Sequence, residues 1–406
     1  MPHVLAINCG SSSLKFALFE LNDALHEGDQ PRALARGTIG GLPQTAVFRL
    51  AAGAGAPAHA IEATNHGEAA RYLLQWLDSS RLLANDQRLI VGHRVVHGGD
   101  EFTRPTAVSA EMLDRLDAFT ALAPLHNGPA IEVIRALRKD LGARALHVAS
   151  FDTAFHRSMP PRARYYAVSP DLLPEGRARR FGFHGLAHRS MLGAVAVARG
   201  QALTELRLVT LQLGSGCSAA TIEGGRSVDS SMGLTPLEGL MMATRSGDVD
   251  PGLVTLVAEA TGRPADEVLA ELNERSGLLG VSGLSSDLRE LIEAKARGNE
   301  RAALAIEMFC YRVRKQVGAY LAALGGADAI VFGGGIGENM PDVRRRVCEG
   351  LEWCGVRLDT AANERASGTA RVSTSRSAIE VWVATVDEES LIARDALEVA
   401  TSASMA

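Results

Sequence analysis

The hydrophobic pattern divides the chain into short apolar runs and longer segments with apolar residues at helical spacing. The short runs predict buried β-strands, the clearest being 4–7, 16–19, 89–91, 145–149, 206–213, 219–222, 329–332 and 379–383. The longer segments predict helices at 111–121, 129–141, 188–198, 251–260, 265–275, 286–296, 300–324 and 341–353, with Pro129 in a first turn. Strands that alternate with helices and end in glycine-rich turns indicate an α/β protein.

Small polar turns stand at the ends of three predicted strands. Asn8–Lys15 lies between two apolar runs and offers a glycine, three serines and a lysine. Gly214–Ser218 repeats the arrangement of strand, turn and returning strand, and Gly333–Gly337 follows a third strand. Backbone N–H groups, hydroxyls and a lysine can bind phosphate oxygens, although a serine-rich hairpin loop is the plain alternative for the first turn. Three such turns fit a nucleotide in a cleft between two structurally similar halves.

Length and composition limit the classes of protein. The chain has 406 residues, which favours two domains, and the Pro- and Arg-rich stretch 159–180 is a candidate domain crossing. A formal net charge of -5 argues against a general nucleic-acid binder, and no apolar run approaches a membrane-spanning length. The N-terminus shows no secretory signal, and five cysteines without a C-x-x-C pair fit a reduced cytoplasm without structural zinc or disulfides.

A few charged or polar side chains stand where the sequence predicts partial burial. Arg94 and Arg245 lie in turns with apolar and glycine neighbours, where an unpaired charge is unfavourable and a carboxylate or phosphate fits the guanidinium. Asp152, at a strand end, is a candidate base, metal ligand or ion-pair partner. His126, His184 and His97 are candidates for catalysis, although a lone histidine is more often structural.

An acidic run, Asp387-Glu388-Glu389, begins the last predicted helix. Its oxygen donors are of the hard type that Mg2+ prefers. Acidic residues are also favoured at any helix N-terminus. Taken alone, the run is therefore either a magnesium site or an ordinary acidic helix N-terminus.

Read in order, these motifs resemble the acetokinase family, within the superfamily of actin-like sugar kinases and heat-shock ATPases. The matching stretches are 7–16, 93–99, 151–156, 180–185, 229–239, the surroundings of Arg245, 287–289 and 334–339. The resemblance spans almost the whole chain. It implies two actin-like (ribonuclease H-like) domains of related topology around a nucleotide cleft, formed by residues 1–150 with 388–406 and by residues 151–387. It also implies a homodimer.

The resemblance further implies reversible phosphoryl transfer from ATP to acetate, with Mg2+ as the metal and Mn2+ as its alternative. It assigns catalysis to Arg94, Asp152, Arg245, His184 and His126, and metal binding to Asn8 and Glu388. Nucleotide contacts are expected at Ser11, Ser13, Lys15, Gln212, Leu213, Gly214, Ser215, Gly216, Asp287, Leu288, Arg289, Gly335, Ile336, Gly337, Glu338 and Asn339. Substrate contacts are expected at Arg94, Val96, Leu125, Phe183 and Pro236. Because a carboxylate is already ionised at neutral pH, it needs no general base, and we expect direct in-line transfer.

The chain departs from the family pattern at Gln212, Ser215, Gly128, Ala187 and Asp387. Ser215 is shorter than the usual Asn, and Asp387 adds negative charge near the expected metal. A propionate- or butyrate-preferring kinase stays open, because one methylene changes binding by only ~1–3 kcal/mol. A non-catalytic nucleotide sensor on the same fold is the third hypothesis. It would be expected to lack one of Arg94, Arg245, Asp152 or Glu388, and all four are present.

Overall fold

Two compact units make up the chain. The computed structural model describes residues 3–20, 31–51, 58–83, 88–120, 123–172 and 178–404. One unit comprises Met1–Phe155 together with Asp387–Ala406, and the other comprises His156–Val386. Each unit contains its own mixed β-sheet. In these described ranges, no helix has both the length and the apolar character needed to cross a membrane.

The sheet of the first unit has the strand order β5-β4-β3-β2-β1-β6-β8-β7. The strands are β1 (His3–Cys9), β2 (Ser13–Glu20), β3 (Arg32–Gly40), β4 (Val47–Leu50), β5 (His59–Ala60), β6 (Leu89–Val95), β7 (Thr106–Ala107) and β8 (Ala145–Phe151). Strands β1 to β5 pair in antiparallel fashion. Strands β6 and β8 continue the sheet in parallel with β1, so that all three end at the same edge.

The sheet of the second unit has the order β11-β10-β9-β12-β14-β13. Its strands are β9 (Arg207–Leu213), β10 (Cys217–Glu223), β11 (Arg226–Ser230), β12 (Ala329–Gly333), β13 (Ala370–Arg371) and β14 (Glu380–Val383). Three antiparallel strands are again followed by two parallel strands and a short antiparallel edge. The predicted fold class, α/β with two sheets of related topology, is confirmed.

Helices connect these strands. They are α1 (His66–Ser79), α2 (Ala110–Asp117), α3 (Pro124–Leu141), α4 (Asp152–Phe155), α5 (Pro161–Arg164), α6 (Gly185–Arg199), α7 (Gly252–Thr261), α8 (Ala265–Glu274), α9 (Gly277–Ser282), α10 (Leu288–Ala296), α11 (Glu300–Leu324), α12 (Gly334–Asn339), α13 (Pro341–Cys348), α14 (Thr360–Arg365) and α15 (Glu388–Ser404). Most predicted helices are confirmed to within a few residues. The one predicted over 341–353 ends earlier, at Cys348.

Two local predictions were wrong. Helix α3 begins at Pro124, so Pro129 lies inside the helix instead of in its first turn. Both prolines have a suitable φ, and Pro124 takes the first turn, where the missing N–H removes no helical hydrogen bond. The glycine-rich segment after β12 was expected as a turn, but Gly334–Asn339 forms a short helix. Its first residue, Gly334, has a left-handed φ of 75°.

The C-terminal helix α15 packs on strands β1, β6 and β8 of the first unit. Its residues Ile392, Ala393 and Ala396 are fully buried. A Cβ atom on Gly92 of β6 would lie only 2.7 Å from the Ile392 side chain and 2.9 Å from its carbonyl oxygen. Glycine at this position therefore lets the helix approach the sheet closely. Glu388 is the first residue of this helix.

Candidate active site

In the first unit, Arg94 and Asp152 meet at the common edge where the parallel strands end. Arg94 donates to both carboxylate oxygens of Asp152, from Nε over 3.1 Å and from Nη2 over 2.6 Å. The Arg94 side chain is 10% exposed and that of Asp152 is fully buried. Burial alone would lower the pKa of Arg94, but Asp152 and Glu388 offset this effect and the pKa is raised. The guanidinium is therefore firmly charged and held by its carboxylate.

Asn8 connects Arg94 to the acidic start of helix α15. Its Oδ1 accepts from Arg94 Nη1 over 3.0 Å. Its Nδ2 donates to Glu388 Oε2 over 2.7 Å and to Glu389 Oε1 over 3.0 Å. The strand register explains the first contact, because Asn8 of β1 lies opposite Arg94 of β6. The hydrogen bonds thus place an amide between the guanidinium and two carboxylates.

The two glutamates form a partly buried pair of oxygen donors. Burial, followed by the neighbouring charge of Glu388, raises the pKa of Glu389. A bound cation would relieve that repulsion, so the donor set fits a hard divalent metal. Among the described residues, no cluster of three or more His, Cys, Asp or Glu residues has a metal-binding arrangement. Mg2+ usually takes one or two carboxylates and completes its shell with water and substrate phosphates.

Arg36 fixes the residue that precedes these glutamates. Its Nη1 and Nη2 donate to the two carboxylate oxygens of Asp387 over 2.9 and 2.8 Å. Asp387 also caps helix α15, accepting from the backbone N–H of Ser390 over 3.0 Å. Burial would raise the pKa of Asp387, but hydrogen bonds from Arg36 and Ser390 lower it. The negative charge that Asp387 adds is therefore paired with Arg36.

We expect Arg36→Met and Asp387→Asn each to lower the free energy of unfolding by about 1 kcal/mol, because each breaks a two-point hydrogen-bonded pair. The double variant should lose less than the sum of the single losses. Urea unfolding of the two single variants and of the double variant measures the three losses in the free energy of unfolding. Arg71→Met, which breaks a single 3.5 Å pair with Asp140, is the control and should change stability little. Additive losses in the double variant would contradict a direct pair.

The predicted phosphate turn joins β1 and β2. Gly10 N–H donates to the carbonyl of Ser13 over 2.8 Å, and the ring Nε2 of His66 bonds the Gly10 carbonyl over 3.0 Å. Ser11 is exposed at the tip. Lys15 lies opposite Asn8 in the strand register and is exposed. The turn therefore presents hydroxyls and an ammonium group on the surface near the same strand end.

In the second unit, His184 occupies a constrained position before helix α6. Its φ is 55°, in the left-handed region, and it forms the N-terminal cap position of the helix. Its Nδ1 lies 2.9 Å from Ser218 Oγ. The preceding carbonyl, of Phe183, bonds His156 Nε2 over 3.0 Å. The loop and strand β10 thus orient the imidazole from two sides.

Arg245 lies beside His184 on the same side of Gly216. A Cβ atom on Gly216 would lie 3.3 Å from Cε1 and Nε2 of His184 and 3.7 Å from Nη1 of Arg245. Arg245 Nη1 donates to the carbonyl of Pro236 over 3.3 Å. Burial lowers the pKa of Arg245. A partly buried guanidinium beside an imidazole is suited to binding an anion.

Two predicted nucleotide segments are adjacent in this unit. Strands β9 and β12 pair so that Gln212 lies opposite Gly333. A Cβ atom on Gly334 would lie 2.6 Å from the Leu213 carbonyl and 2.8 Å from Gln212 Nε2. The buried Oε1 of Gln212 has no hydrogen-bond partner. The glycine therefore permits a close contact between the turn after β9 and the start of α12.

Arg344 holds the end of helix α12. The side chain is almost fully buried, and its Nη1 donates to the carbonyls of Gly337 and Glu338, each over 2.8 Å. Its Nε donates to Asn363 Oδ1 over 2.7 Å. Glu338 in turn accepts from the N–H groups of Gly334 and Val386, each over 3.2 Å. The helix that follows β12 is thus fixed at both ends.

The remaining predicted nucleotide residues have varied surroundings. Asp287 caps helix α10 and binds Arg289 through both carboxylate oxygens. Leu213 and Leu288 are buried, so only their backbone can face a nucleotide. Ser215 is exposed, and Asn339 Nδ2 donates to Gly335 O over 3.0 Å. Gly214, Ile336 and Gly337 lie in the same two segments as Gln212 and Gly334.

The predicted substrate residues fall in both units. Val96 follows β6 and is buried; Phe183 is 1% exposed and belongs to the second unit with Pro236. His126 is partly buried near the start of α3. Leu125 also lies in α3, but its side chain falls outside the described residues.

Several residues at these sites were not assigned from the sequence. They are Arg36, Glu389, Ser218 and Arg344. Glu389 was noted in the acidic run but was not assigned as a metal ligand, although it adjoins Glu388. Arg36 and Arg344 gave no signal, because their partners lie at distant positions in the chain.

A family profile described as the Acetokinase family matches residues 3–394 of this chain. An acetate kinase from Solibacter usitatus is 42% identical over 402 residues, which cover 97% of each chain. A crystal structure of Porphyromonas gingivalis acetate kinase superposes with a TM-score of 0.87 and 38% identity, covering 98% of this chain and 100% of that one. A propionate kinase from Francisella tularensis has a TM-score of 0.86 and 34% identity, with 97% and 99% coverage.

Proposed function

This chain belongs to the acetokinase family, and we propose that it transfers the γ-phosphoryl group of ATP reversibly to acetate. The products are acetyl phosphate and ADP. The observation that carries this proposal is the placement of the partly buried Arg245 guanidinium beside His184 at Gly216. Such a group is suited to the negative charge of a carboxylate or a transferring phosphoryl group.

The reaction needs little proton chemistry from the protein. A carboxylate attacks in its ionised form, so the central task is to bring two anions together and to stabilise the charge on the phosphoryl oxygens. We assign Arg94 and Arg245 to the carboxylate and the phosphoryl group, and His184 and His126 to the transition state. Asp152 orients Arg94 through its bidentate contact.

We propose Mg2+ as the divalent metal, with Glu388 as its main protein ligand. The metal would neutralise charge on the nucleotide phosphates. Asn8 is the second assigned ligand, but its Oδ1 accepts from Arg94 and its Nδ2 faces the glutamates. An amide binds Mg2+ through oxygen, so Asn8 as a ligand requires the amide to rotate, whereas Glu388 needs no such change.

The nucleotide is assigned to the two polar turns and to α12. Ser11, Ser13 and Lys15 supply hydroxyls and positive charge for phosphates, and Gly214–Gly216 supplies backbone N–H groups. The segment Gly335–Asn339 takes the remainder of the nucleotide, with Asp287–Arg289 at the edge. Arg344 supports this assignment because it fixes the Gly337 and Glu338 carbonyls.

Acyl phosphate formation tests the proposal. The enzyme is incubated with ATP, Mg2+ and acetate, and the acyl phosphate is trapped with hydroxylamine. We expect an acetyl product that depends on all three components. No product above background with acetate, propionate or butyrate would contradict the enzymatic function and favour a nucleotide-dependent sensor.

The alternative substrate is propionate, which the similarity to a propionate kinase supports. The apolar residues Val96, Phe183 and Pro236, with Leu125, are assigned to the acyl tail. An added methylene changes binding by about 1–3 kcal/mol, so kcat/KM for acetate, propionate and butyrate must be compared. We expect the highest value for acetate.

We further propose that the protein is a cytoplasmic homodimer and that its two units are the N-terminal and C-terminal actin-like domains. Helix α7 supports the dimer, since none of its residues is buried and Leu256 is 64% exposed. Tyr311 of α11 is also exposed, at 60%. All five cysteines are free, which suits a reducing compartment. Light scattering of the wild-type protein and of Leu256→Glu tests the dimer.

A further inference from the structure

A chain of hydrogen bonds runs inward from His184 through buried side chains of the second unit. His184 Nδ1 lies 2.9 Å from Ser218 Oγ, which lies 2.9 Å from His188 Nε2. His188 Nδ1 lies 2.8 Å from Thr210 Oγ1. Ser218, His188 and Thr210 are fully buried. The imidazole that faces Gly216 is therefore coupled to two strands and a helix.

The direction of donation along this chain follows from the donors that each group has. Burial, and then the neighbouring His156 and His184, lowers the pKa of His188 well below its ordinary value, so His188 is neutral with one donor and one acceptor nitrogen. Thr210 Oγ1 donates to the Ala220 carbonyl over 3.3 Å. It must then accept from His188 Nδ1–H, which leaves His188 Nε2 to accept from Ser218.

The same reasoning reaches His184. Ser218 has one hydroxyl proton, and it gives that proton to His188. Its oxygen therefore accepts from Nδ1–H of His184. With these donors, all four hydrogen bonds form: His184 to Ser218, Ser218 to His188, His188 to Thr210, and Thr210 to the Ala220 carbonyl. In the opposite direction, Thr210 would donate its proton to His188, and the Ala220 carbonyl would receive no hydrogen bond from Thr210.

We propose that Ser218 and His188 are positioning residues that hold His184 as its Nδ1–H form, so that proton uptake and release occur at Nε2. The inference rests on the proposed function through the role of His184 in transfer. In the neutral ring, Nε2 carries a lone pair that repels phosphoryl oxygens. After protonation, the same atom donates a hydrogen bond. His184 therefore assists transfer only as the imidazolium ion.

The charges around the ring are compatible with this role. Arg245 approaches the Nε2 side near Gly216, and an anionic group bound there would favour the imidazolium ion. Burial raises the pKa of the Cys217 thiol to about 12, so this neighbour is uncharged. On the inner side, neutral His188 stands against His156, with ring centroids 5.7 Å apart.

The tautomer of His184 can be measured directly by NMR. The protein is labelled with 13C,15N-histidine, and the His184 ring signals are identified by their absence from His184→Gln. Above the pH at which the ring loses its second proton, we expect the Nδ1–H form in the wild-type protein. The Nε2–H form would overturn the proposal. The measurement involves no turnover, so it is independent of whether the chain phosphorylates acetate.

Ser218→Ala tests the positioning role. We expect kcat to fall about tenfold or more with KM for ATP nearly unchanged, because the variant loses orientation of a transition-state donor. The basic limb of the kcat profile should move down by about one pH unit, since the imidazolium loses the acceptor for its Nδ1–H. In NMR, the neutral ring should no longer be restricted to Nδ1–H.

Two further variants serve as comparisons. Ser218→Thr keeps the hydroxyl and should retain the wild-type pH profile. Ser230→Ala, on the adjoining strand β11, removes a buried hydroxyl that has no hydrogen-bond partner. It should leave the pH profile of kcat and the His184 tautomer unchanged. An unshifted pH profile in Ser218→Ala would overturn the positioning role. If Ser218→Ala does not fold, the wild-type tautomer still decides the proposal.

Discussion

Replacing Arg94 by alanine should reduce both turnover and stability. We expect kcat to fall about 10²–10³-fold, because a preorganised donor to the reacting anions is lost. The free energy of unfolding should fall by about 3–5 kcal/mol, because the guanidinium is removed from the fully buried carboxylate of Asp152. Steady-state kinetics and urea unfolding measure the two losses separately.

Asp152→Asn in the Arg94→Ala background is the matched control. It removes the buried negative charge, so stability should recover in part while kcat stays low. Arg94→Lys keeps a positive charge but loses the two-point contact with Asp152, and it should give intermediate values. Near-normal turnover in Arg94→Ala would exclude Arg94 from the catalytic site.

Replacing Arg245 by alanine should reduce turnover with a much smaller loss of stability than Arg94→Ala. We again expect kcat to fall about 10²–10³-fold. Burial lowers the pKa of Arg245, which means that the folded state disfavours its charge relative to the unfolded state. The free energy of unfolding should therefore fall much less than in Arg94→Ala. Kinetics and thermal unfolding of the same preparation test both expectations.

Arg312→Ala provides the comparison within the same unit. Its guanidinium is exposed and donates to the carbonyl of Asp248 over 2.9 Å, and we expect kcat near the wild-type value. A stability loss in Arg245→Ala as large as that in Arg94→Ala would contradict the distinction between an arginine that neutralises a fully buried carboxylate and one whose charge burial disfavours.

Much of the fold was accessible from the sequence, because apolar runs and helical spacing report burial directly. The long helix α11 was predicted with the bounds that the structure shows, Glu300–Leu324. Short strands such as β7 (Thr106–Ala107) could not be predicted, since two residues carry no periodicity. In the sequence, only two similar hairpins suggested that the two sheets share a topology. The common topology is a property of strand order, which the two halves can share without similar sequences.

The candidate site was accessible only in part. Arg94, Asp152 and Glu388 were identified, and the structure brings all three together in the first unit. The sequence did not give Arg36 as the partner of Asp387, which is 351 positions away. Nor did it give the bonds from Ser218 to His184 and His188, because hydrogen-bond partners across strands depend on register and side-chain orientation.

In the proposed mechanism, the phosphoryl group passes directly from ATP to the carboxylate, with no phosphorylated protein residue between them. The stereochemical course at phosphorus distinguishes this direct transfer from transfer through a phosphoenzyme. ATP that is chiral at the γ-phosphorus through oxygen isotopes and sulfur serves as the donor, with acetate as the acceptor, and the configuration of the acyl thiophosphate is determined. We expect inversion, as a single in-line displacement requires. Retention would contradict direct transfer and would indicate two successive displacements.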